Sequence, residues 1–257
     1  MSEIRVARIG GIATVELSNP GKLNAIDVGM WRQLAVTFGS LSADESLRCV
    51  IVRGAGGNFA AGADIEEFSA VRSTYAQGLS YHTEIIANAL DAIAGCLHPT
   101  VAAIDGVCVG GGLEIASACD LRIASPSARF GIPINRLGFP LAPGEMRHLL
   151  QLVGKAVVLE ILLEGRVFGA EDALRKRLVH RVVEDPHADA AATANRIAAG
   201  APLAARANKW LAQRLAPPVE PMTEQEMRAA FAFLDTQDYR EGVKAFIEKR
   251  KPDFTGQ

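Results

Sequence analysis

Apolar and polar positions alternate over residues 4–9 and again over 12–17, on either side of Gly10-Gly11. A period of two broken by a glycine pair predicts a β-hairpin. Asn19-Pro20-Gly21 ends the alternation, and the period then lengthens. Met30, Leu34, Phe38 and Leu41 recur at helical spacing behind Asp27, a residue type that caps helix starts. Cys49-Val50-Ile51-Val52 and Val101-Ala102-Ala103-Ile104 are short, wholly apolar runs that predict buried strands. Residues 80–96 predict a long helix closed by Pro99. Leu121-Arg122-Ile123-Ala124 and residues 179–183 predict two more strands, with helices between them. Beyond about residue 190 only helical patterns remain, over 190–199, 204–215, 222–235 and 239–249, interrupted by Pro217-Pro218-Val219-Glu220-Pro221. The order predicts an α/β core over residues 1–200 and a helical segment over 201–257 that packs on the core or on a neighbour.

Composition narrows the class. A chain of 257 residues can bury a full core, and a net charge of −2 gives no electrostatic reason to expect nucleic acid or an anionic membrane as partner. The N-terminal MSEIRVARIGG lacks the apolar run of a signal peptide, and no stretch reaches the ~18 apolar residues of a membrane helix. Cys49, Cys96, Cys108 and Cys119 form no C-x-x-C pair and sit in apolar stretches, as buried reduced thiols of a cytoplasmic protein would. The histidines, His82, His98, His148, His180 and His187, are scattered without metal-ligand spacing, so no metal is expected.

Two glycine-rich segments place glycines where a strand turns into a helix: 56–65, GGNFAAGADI, and 106–114, GVCVGGGLE. Glycine there lets backbone approach a ligand closely, and free N–H groups at a helix start suit an oxyanion. Neither segment is G-x-G-x-x-G, since Phe59 and Leu113 stand where glycine is required, and neither carries the Lys-Ser or Lys-Thr of a P-loop. No G-x-S-x-G nucleophile elbow occurs. Taken singly, each could be a tight turn packed against a strand.

Together the two segments resemble the signature stretches of the crotonase superfamily, the enoyl-CoA hydratase/isomerase family. The likeness runs along nearly the whole chain in family order. Asn19-Pro20-Gly21-Lys22-Leu23-Asn24-Ala25 is similar to the first coenzyme A loop, Ala60 to Ile65 to the second, and Gly110-Gly111-Gly112-Leu113-Glu114 to the third element. Ala128-Arg129-Phe130-Gly131, residues 178–183 and residues 245–252 resemble the later strands and the closing helix. The resemblance implies a spiral of ββα turns with a helical C-terminal segment, assembled as a homotrimer or a dimer of trimers. It implies an acyl-CoA thioester as substrate, with coenzyme A entering only as part of it and no tightly bound cofactor. The backbone N–H groups of Ala63 and Gly111 would form an oxyanion hole for the thioester enolate. By position, Lys22, Leu23, Ala25, Ala61, Asp64 and Ile65 would line the coenzyme A pocket. Phe246 and Lys249 would reach a coenzyme A bound by a neighbouring subunit, although a lysine at a helix end is commonly just solvated. The apolar residues Phe231, Phe233, Leu234 and Phe246 are expected to be buried partly between subunits.

Glu114, at the start of an apolar helix, falls where hydratases of the family keep their first catalytic glutamate, and shielding would raise its pKa into a range that can take and give a proton. The second glutamate is missing: after Gly131-Ile132-Pro133 the chain has Ile134. Glu114 could act alone, could serve one-base chemistry such as a double-bond shift, or could be joined by Glu145, just after Pro143-Gly144. The simpler account of Glu145 is a first-turn acid favoured by the helix dipole. The expected activity is hydratase-like addition of water to an enoyl-CoA through an enolate. Isomerisation or another enolate reaction on a single glutamate is the alternative, and a binding protein that has lost catalysis is the rival of a different class.

Overall fold

The computed structural model describes residues 1–216 and 222–255. The proline-rich interruption Pro217 to Pro221 lies outside the described residues. β1 (Glu3–Ile9) and β2 (Ile12–Ser18) form the expected hairpin. α1 (Val28–Ala43) begins where Asp27 accepts the Met30 N–H at 2.7 Å, and Met30, Leu34, Phe38 and Leu41 are its buried stripe. β3 (Cys49–Gly54) leads through a short 3-10 turn, Ile65–Glu67, into α2 (Phe68–Val71), α3 (Tyr75–Ser80), a π-helical turn (Tyr81–Ile86) and α4 (Ala87–Ala94). The helix expected over 80–96 therefore starts earlier, at Tyr75, because the Thr74 side chain caps it by accepting the Gln77 N–H.

β4 (Thr100–Ile104), β5 (Val107–Val109) and α5 (Gly111–Ala118) come next, then β6 (Leu121–Ala124), β7 (Arg129–Gly131) and α6 (Pro143–Glu164). The strand expected over 179–183 shrinks to β9 (Arg181–Val182), after β8 (Phe168–Gly169) and α7 (Ala170–Arg175). α8 (Pro186–Ala199), α9 (Pro202–Leu215), α10 (Glu224–Ala230), a 3-10 turn (Ala232–Asp235) and α11 (Gln237–Ile247) complete the chain. No helix of the described residues is long and apolar enough to cross a membrane.

The strands β1-β2-β3-β4-β6-β9 lie side by side in a six-stranded sheet, antiparallel at the hairpin and parallel elsewhere. β5, β7 and β8 form a second, three-stranded sheet. One unit repeats: a strand in the large sheet, a strand in the small one, then a helix, as in β4-β5-α5 and β6-β7-α6. After β3, Ala60 makes a reduced version of the step by bridging Cys108 of β5. This is the spiral of ββα turns. The apolar runs of β3 and β4 have no polar face because both faces are covered. Val50, Val52, Ala102 and Ile104 point into the main core, while Cys49, Ile51, Val101 and Ala103 pack under Ala190 and Ala194 of α8.

The C-terminal helices correct one expectation. Phe231, Phe233 and Leu234 are buried against their own chain, so three of the four aromatic and aliphatic residues assigned to a subunit boundary are already covered. Phe246 is 54% exposed. α11 docks backbone to backbone on the turn after β7: a Cβ on Gly242 would lie 2.5 Å from the Leu137 carbonyl carbon. Gly138, at φ +74°, faces Asp238 with equal closeness. We expect Gly242→Ala to cost roughly 1–3 kcal/mol, because neither backbone can yield easily. Chemical denaturation of the variant, with proteolysis to detect release of α11, checks this; wild-type stability would refute the contact.

Candidate active site

Two backbone segments that approach each other at the sheet crossover build the site. Ala60 N–H donates to Val107 O at 2.9 Å and Val109 N–H donates to Ala60 O at 3.1 Å, which lays residues 60–64 alongside 107–111. Gly62 at φ +103° and Gly110 at φ +50° adopt conformations that side chains resist, and a Cβ on Gly110 would lie 3.5 Å from Gly62 Cα. A Cβ on Gly112 would lie 2.3 Å from Ala60 O. These glycines are therefore there for close packing, as each segment alone allowed, but their joint effect is chemical. The N–H groups of Ala63 and of Gly111, the first residue of α5, are left without a hydrogen-bond partner among the described residues and lie in the lining of one cavity.

That cavity has a volume of about 90 Å³. Glu114 projects into it from the first turn of α5 and is 6% exposed. Glu145 projects into it from the first turn of α6 and is 3% exposed. Glu145 is the first-turn acid expected, but it is also buried: it lies in the same cavity as Glu114 and hydrogen-bonds His82 Nδ1 at 2.5 Å. Ile134 lines the wall between Pro133 and Leu137. Tyr81, His82 and Ile86 reach the cavity from the π-helical turn, whose wider period places residues five apart on one face. Arg72 completes the lining, its guanidinium carbon 4.2 Å from the ring centres of both Phe68 and Phe139.

Electrostatics follows from burial. Removal from water pushes the Glu114 carboxyl well above its usual range, the charge of Glu145 pushes it further, and Arg72 opposes both. Burial likewise raises Glu145 to about 8 against the pull of Arg72. His82 is held well below its ordinary value, first by burial and then by Arg72, so its ring is neutral. Four polar atoms of the lining residues have no partner among the described residues: Arg72 Nε and Nη2, His82 Nε2 and Trp31 Nε1. Each unpaired buried group costs about 1–3 kcal/mol, so the cavity suits a polar occupant.

Of the residues expected to hold coenzyme A, Ala61 and Ile65 line the cavity. Lys22, Leu23 and Ala25 lie in the neighbouring loop, tied to it by Ala61 N–H donating to Leu23 O at 3.0 Å. Lys22 Nζ pairs with Asp64 and Glu66, each at 2.7 Å, and Asp64 caps the 3-10 turn that starts at Ile65. Buried Asn24 fastens the loop by donating to Ala55 O and Asn58 O. Phe246 and Lys249 are exposed and do not line this chain's own cavity. Among the described residues no cluster of three or more His, Cys, Asp or Glu side chains could hold a metal ion. Sequence reasoning missed Arg72 and passed over His82. A lone arginine in a polar stretch gives no sign that aromatic rings from distant segments will bury it.

The raised Glu145 carboxyl carries a stability signature. Unfolded, it ionises near 4.5, and folded near 8, so its neutral form contributes stability that is complete below the first value and lost as pH rises through the second. Glu145→Gln keeps a hydrogen-bonding partner for His82 and removes the ionisation. The melting temperature of the variant relative to wild type should therefore climb between pH 5 and pH 8, by on the order of 5 °C. Thermal scans across that range test it, and a constant difference would show that Glu145 is not held neutral.

Comparison with known proteins agrees with this geometry. Residues 8–257 match the family model described as enoyl-CoA hydratase/isomerase. A probable mitochondrial enoyl-CoA hydratase 2 of Arabidopsis thaliana is 37% identical over 96% of this chain and 82% of its own length. The crystal structure of an enoyl-CoA hydratase/carnithine racemase from Magnetospirillum magneticum is 49% identical, covers 99% of this chain and 96% of its own, and superposes with a TM-score of 0.81. Methylmalonyl-CoA decarboxylase in complex with 2-nitronate-propionyl-CoA is 28% identical over 99% of this chain and 98% of its own, with a TM-score of 0.88. The chain belongs to the enoyl-CoA hydratase/isomerase family.

Proposed function

We propose that the enzyme adds water across the 2,3 double bond of an enoyl-CoA, with Glu114 and Glu145 as its acid and base. One observation carries the reading: two unpartnered N–H groups, Ala63 and Gly111, share a cavity with two buried carboxyls. A thioester oxygen placed between those donors would gain charge as the β-carbon is attacked, and each preorganised donor can be worth about 3 kcal/mol at that point. The carboxylate form of Glu145, favoured by Arg72 and reached as pH approaches about 8, takes a proton from water as the water oxygen bonds to the β-carbon. The enolate rests on the two N–H groups. Glu114, kept protonated by burial and by the Glu145 charge, then gives its proton to the α-carbon. Ile134 leaves the wall used by the second acid of hydratases apolar, and Glu145 supplies the missing carboxyl from the neighbouring helix.

Lys22, Leu23, Ala25, Ala61, Asp64 and Ile65 hold the coenzyme A part of the substrate in this reading. Phe246 and Lys249, exposed here, would serve a neighbouring subunit's coenzyme A. The assembly is a homotrimer or a dimer of trimers in the cytoplasm. Leu203, Trp210 and Leu215 of α9 support an assembly because they are 62–77% exposed, an apolar face that water covers poorly. The free, buried state of Cys49, Cys96, Cys108 and Cys119 supports a reducing compartment.

Glu114→Gln should lower kcat about 100-fold or more with little change in coenzyme A affinity. Glu145→Gln should be comparably impaired, and Ile134→Glu should gain nothing. Loss of the conjugated thioester absorbance of crotonyl-CoA measures all three; full turnover in Glu145→Gln with a gain in Ile134→Glu would return the second role to position 134. Sedimentation should find a trimer or hexamer, and a monomer at micromolar concentration would contradict the assembly.

A further inference from the structure

Two buried arginines in this chain are treated in opposite ways. Arg122 is 2% exposed and uses its donors on carbonyl oxygens: Nε on Leu178 O at 2.9 Å, Nη1 on Ala116 O at 3.2 Å and on Cys119 O, and Nη2 on Asp120 O at 3.3 Å. Arg72 is 1% exposed, yet its Nε and Nη2 have no partner among the described residues. Those two atoms are the side-on pair of a guanidinium, whose parallel N–H bonds match the two oxygens of a carboxylate. Phe68 and Phe139, themselves packed edge to face with centroids 6.1 Å apart, both lie 4.2 Å from the guanidinium carbon, and the Tyr239 ring lies 5.2 Å away. Cation–π contact stabilises the charge without using a donor, so the surrounding rings hold the guanidinium while Nε and Nη2 stay without a partner among the described residues.

We infer that Arg72 is the acyl-end anchor of the site, and that the substrate is a short acyl-CoA whose acyl group carries a free carboxylate. The inference rests on the acyl-CoA reading above and adds what the acyl group must present. The cavity supports it: Arg72 lines it together with Glu114, Glu145, Ala63 and Gly111, so an acyl group held at the two N–H groups need not leave the cavity to reach the guanidinium. A plain alkyl acyl group would leave the Nε and Nη2 donors buried and unpaired. His82 is neutral and Glu114 protonated, so Glu145 is the ionisable neighbour with which a substrate carboxylate would share the Arg72 charge.

The test compares three thioesters: crotonyl-CoA, the monothioester of a short unsaturated dicarboxylic acid, and the methyl ester of that same acid thioester. The wild-type enzyme should favour the free acid over its methyl ester by about 10- to 100-fold in kcat/KM, the range of one charge-assisted pair. In Arg72→Met that ratio should fall to near one, and in Arg72→Lys it should be intermediate, because a lysine keeps the charge and loses the fork. Equal handling of acid and ester by wild type overturns the inference without any variant and leaves the acyl-CoA reading standing. An unchanged ratio in Arg72→Met, with overall rates lowered alike, overturns it too and makes Arg72 a structural residue. Failure of all three thioesters to turn over or to raise the melting temperature overturns the acyl-CoA reading, and this inference with it.

Discussion

The approach of residues 60–64 to 107–111 is the constraint on which the rest of the molecule depends. Residues 107–111 run from β5, the second strand of a ββα turn, into α5, while residues 60–64 make a single bridge to β5 before the 3-10 turn at Ile65. Backbone donors go unpaired at such a junction for geometric reasons, since the first N–H groups of a helix have no carbonyl behind them. Placing two junctions side by side aims two orphan donors at one point. The requirement for small residues at 62, 110 and 112 follows from that contact, because added Cβ atoms would meet backbone rather than movable side chains. The large sheet, covered on both faces, supplies the rigidity that keeps the two junctions in register.

The C-terminal helices back the cavity's lining from behind, and they do so within the chain. Phe231 packs on the His82 ring with centroids 5.5 Å apart, Phe233 stacks on Phe139, and Tyr239 meets Phe139 and Phe233 edge to face. These rings fix both groups that tune Glu145: the neutral His82 bonded to it and the Arg72 cation near it. Link by link, the close contact of Gly242 on Leu137 sets where α11 sits, α11 sets the aromatic cage, and the cage sets the charge environment of the acid.

Much of this was legible in the sequence, for reasons that can be named. The hairpin, α1, β3, β4 and β6 were readable because periods of two and of about 3.6 are direct consequences of burial on one face, and wholly apolar runs of burial on two. Glu114, Ala63 and Gly111 were readable only through family resemblance, since a glycine run by itself fits any tight turn. Other features had no local signature. The early start at Tyr75 depended on a Thr74 cap within a polar stretch. The π-helical turn, which aims Tyr81 and Ile86 at the cavity, follows from packing against α1 and α6 rather than from its own residues. Phe231, Phe233 and Leu234 read as surplus apolar surface because their cover, Gly78, His82 and Phe139, lies some 90 to 160 residues earlier in the chain.

Glu145 is the instructive case, because two opposed effects act on it and magnitude decides. At the third position of α6 the helix dipole favours its anion by about 0.3–1 kcal/mol, up to about 2 when partly buried. A sequence reading sees only that effect and assigns the residue to the solvated helix end. Folding buries the carboxyl almost completely, and an unpaired buried charge costs several kcal/mol. Burial wins, and Arg72 and the dipole recover only part of the shift, which leaves the group poised near 8. Two carboxyls in one dry cavity cannot both ionise cheaply, so the first proton lost belongs to the pair and the second is held far more tightly. A site with one anion and one neutral acid, unequal because only Glu145 bonds His82, is thereby built from residues on two helices. The apolar Ile134 removes a third carboxyl that would have disturbed that inequality.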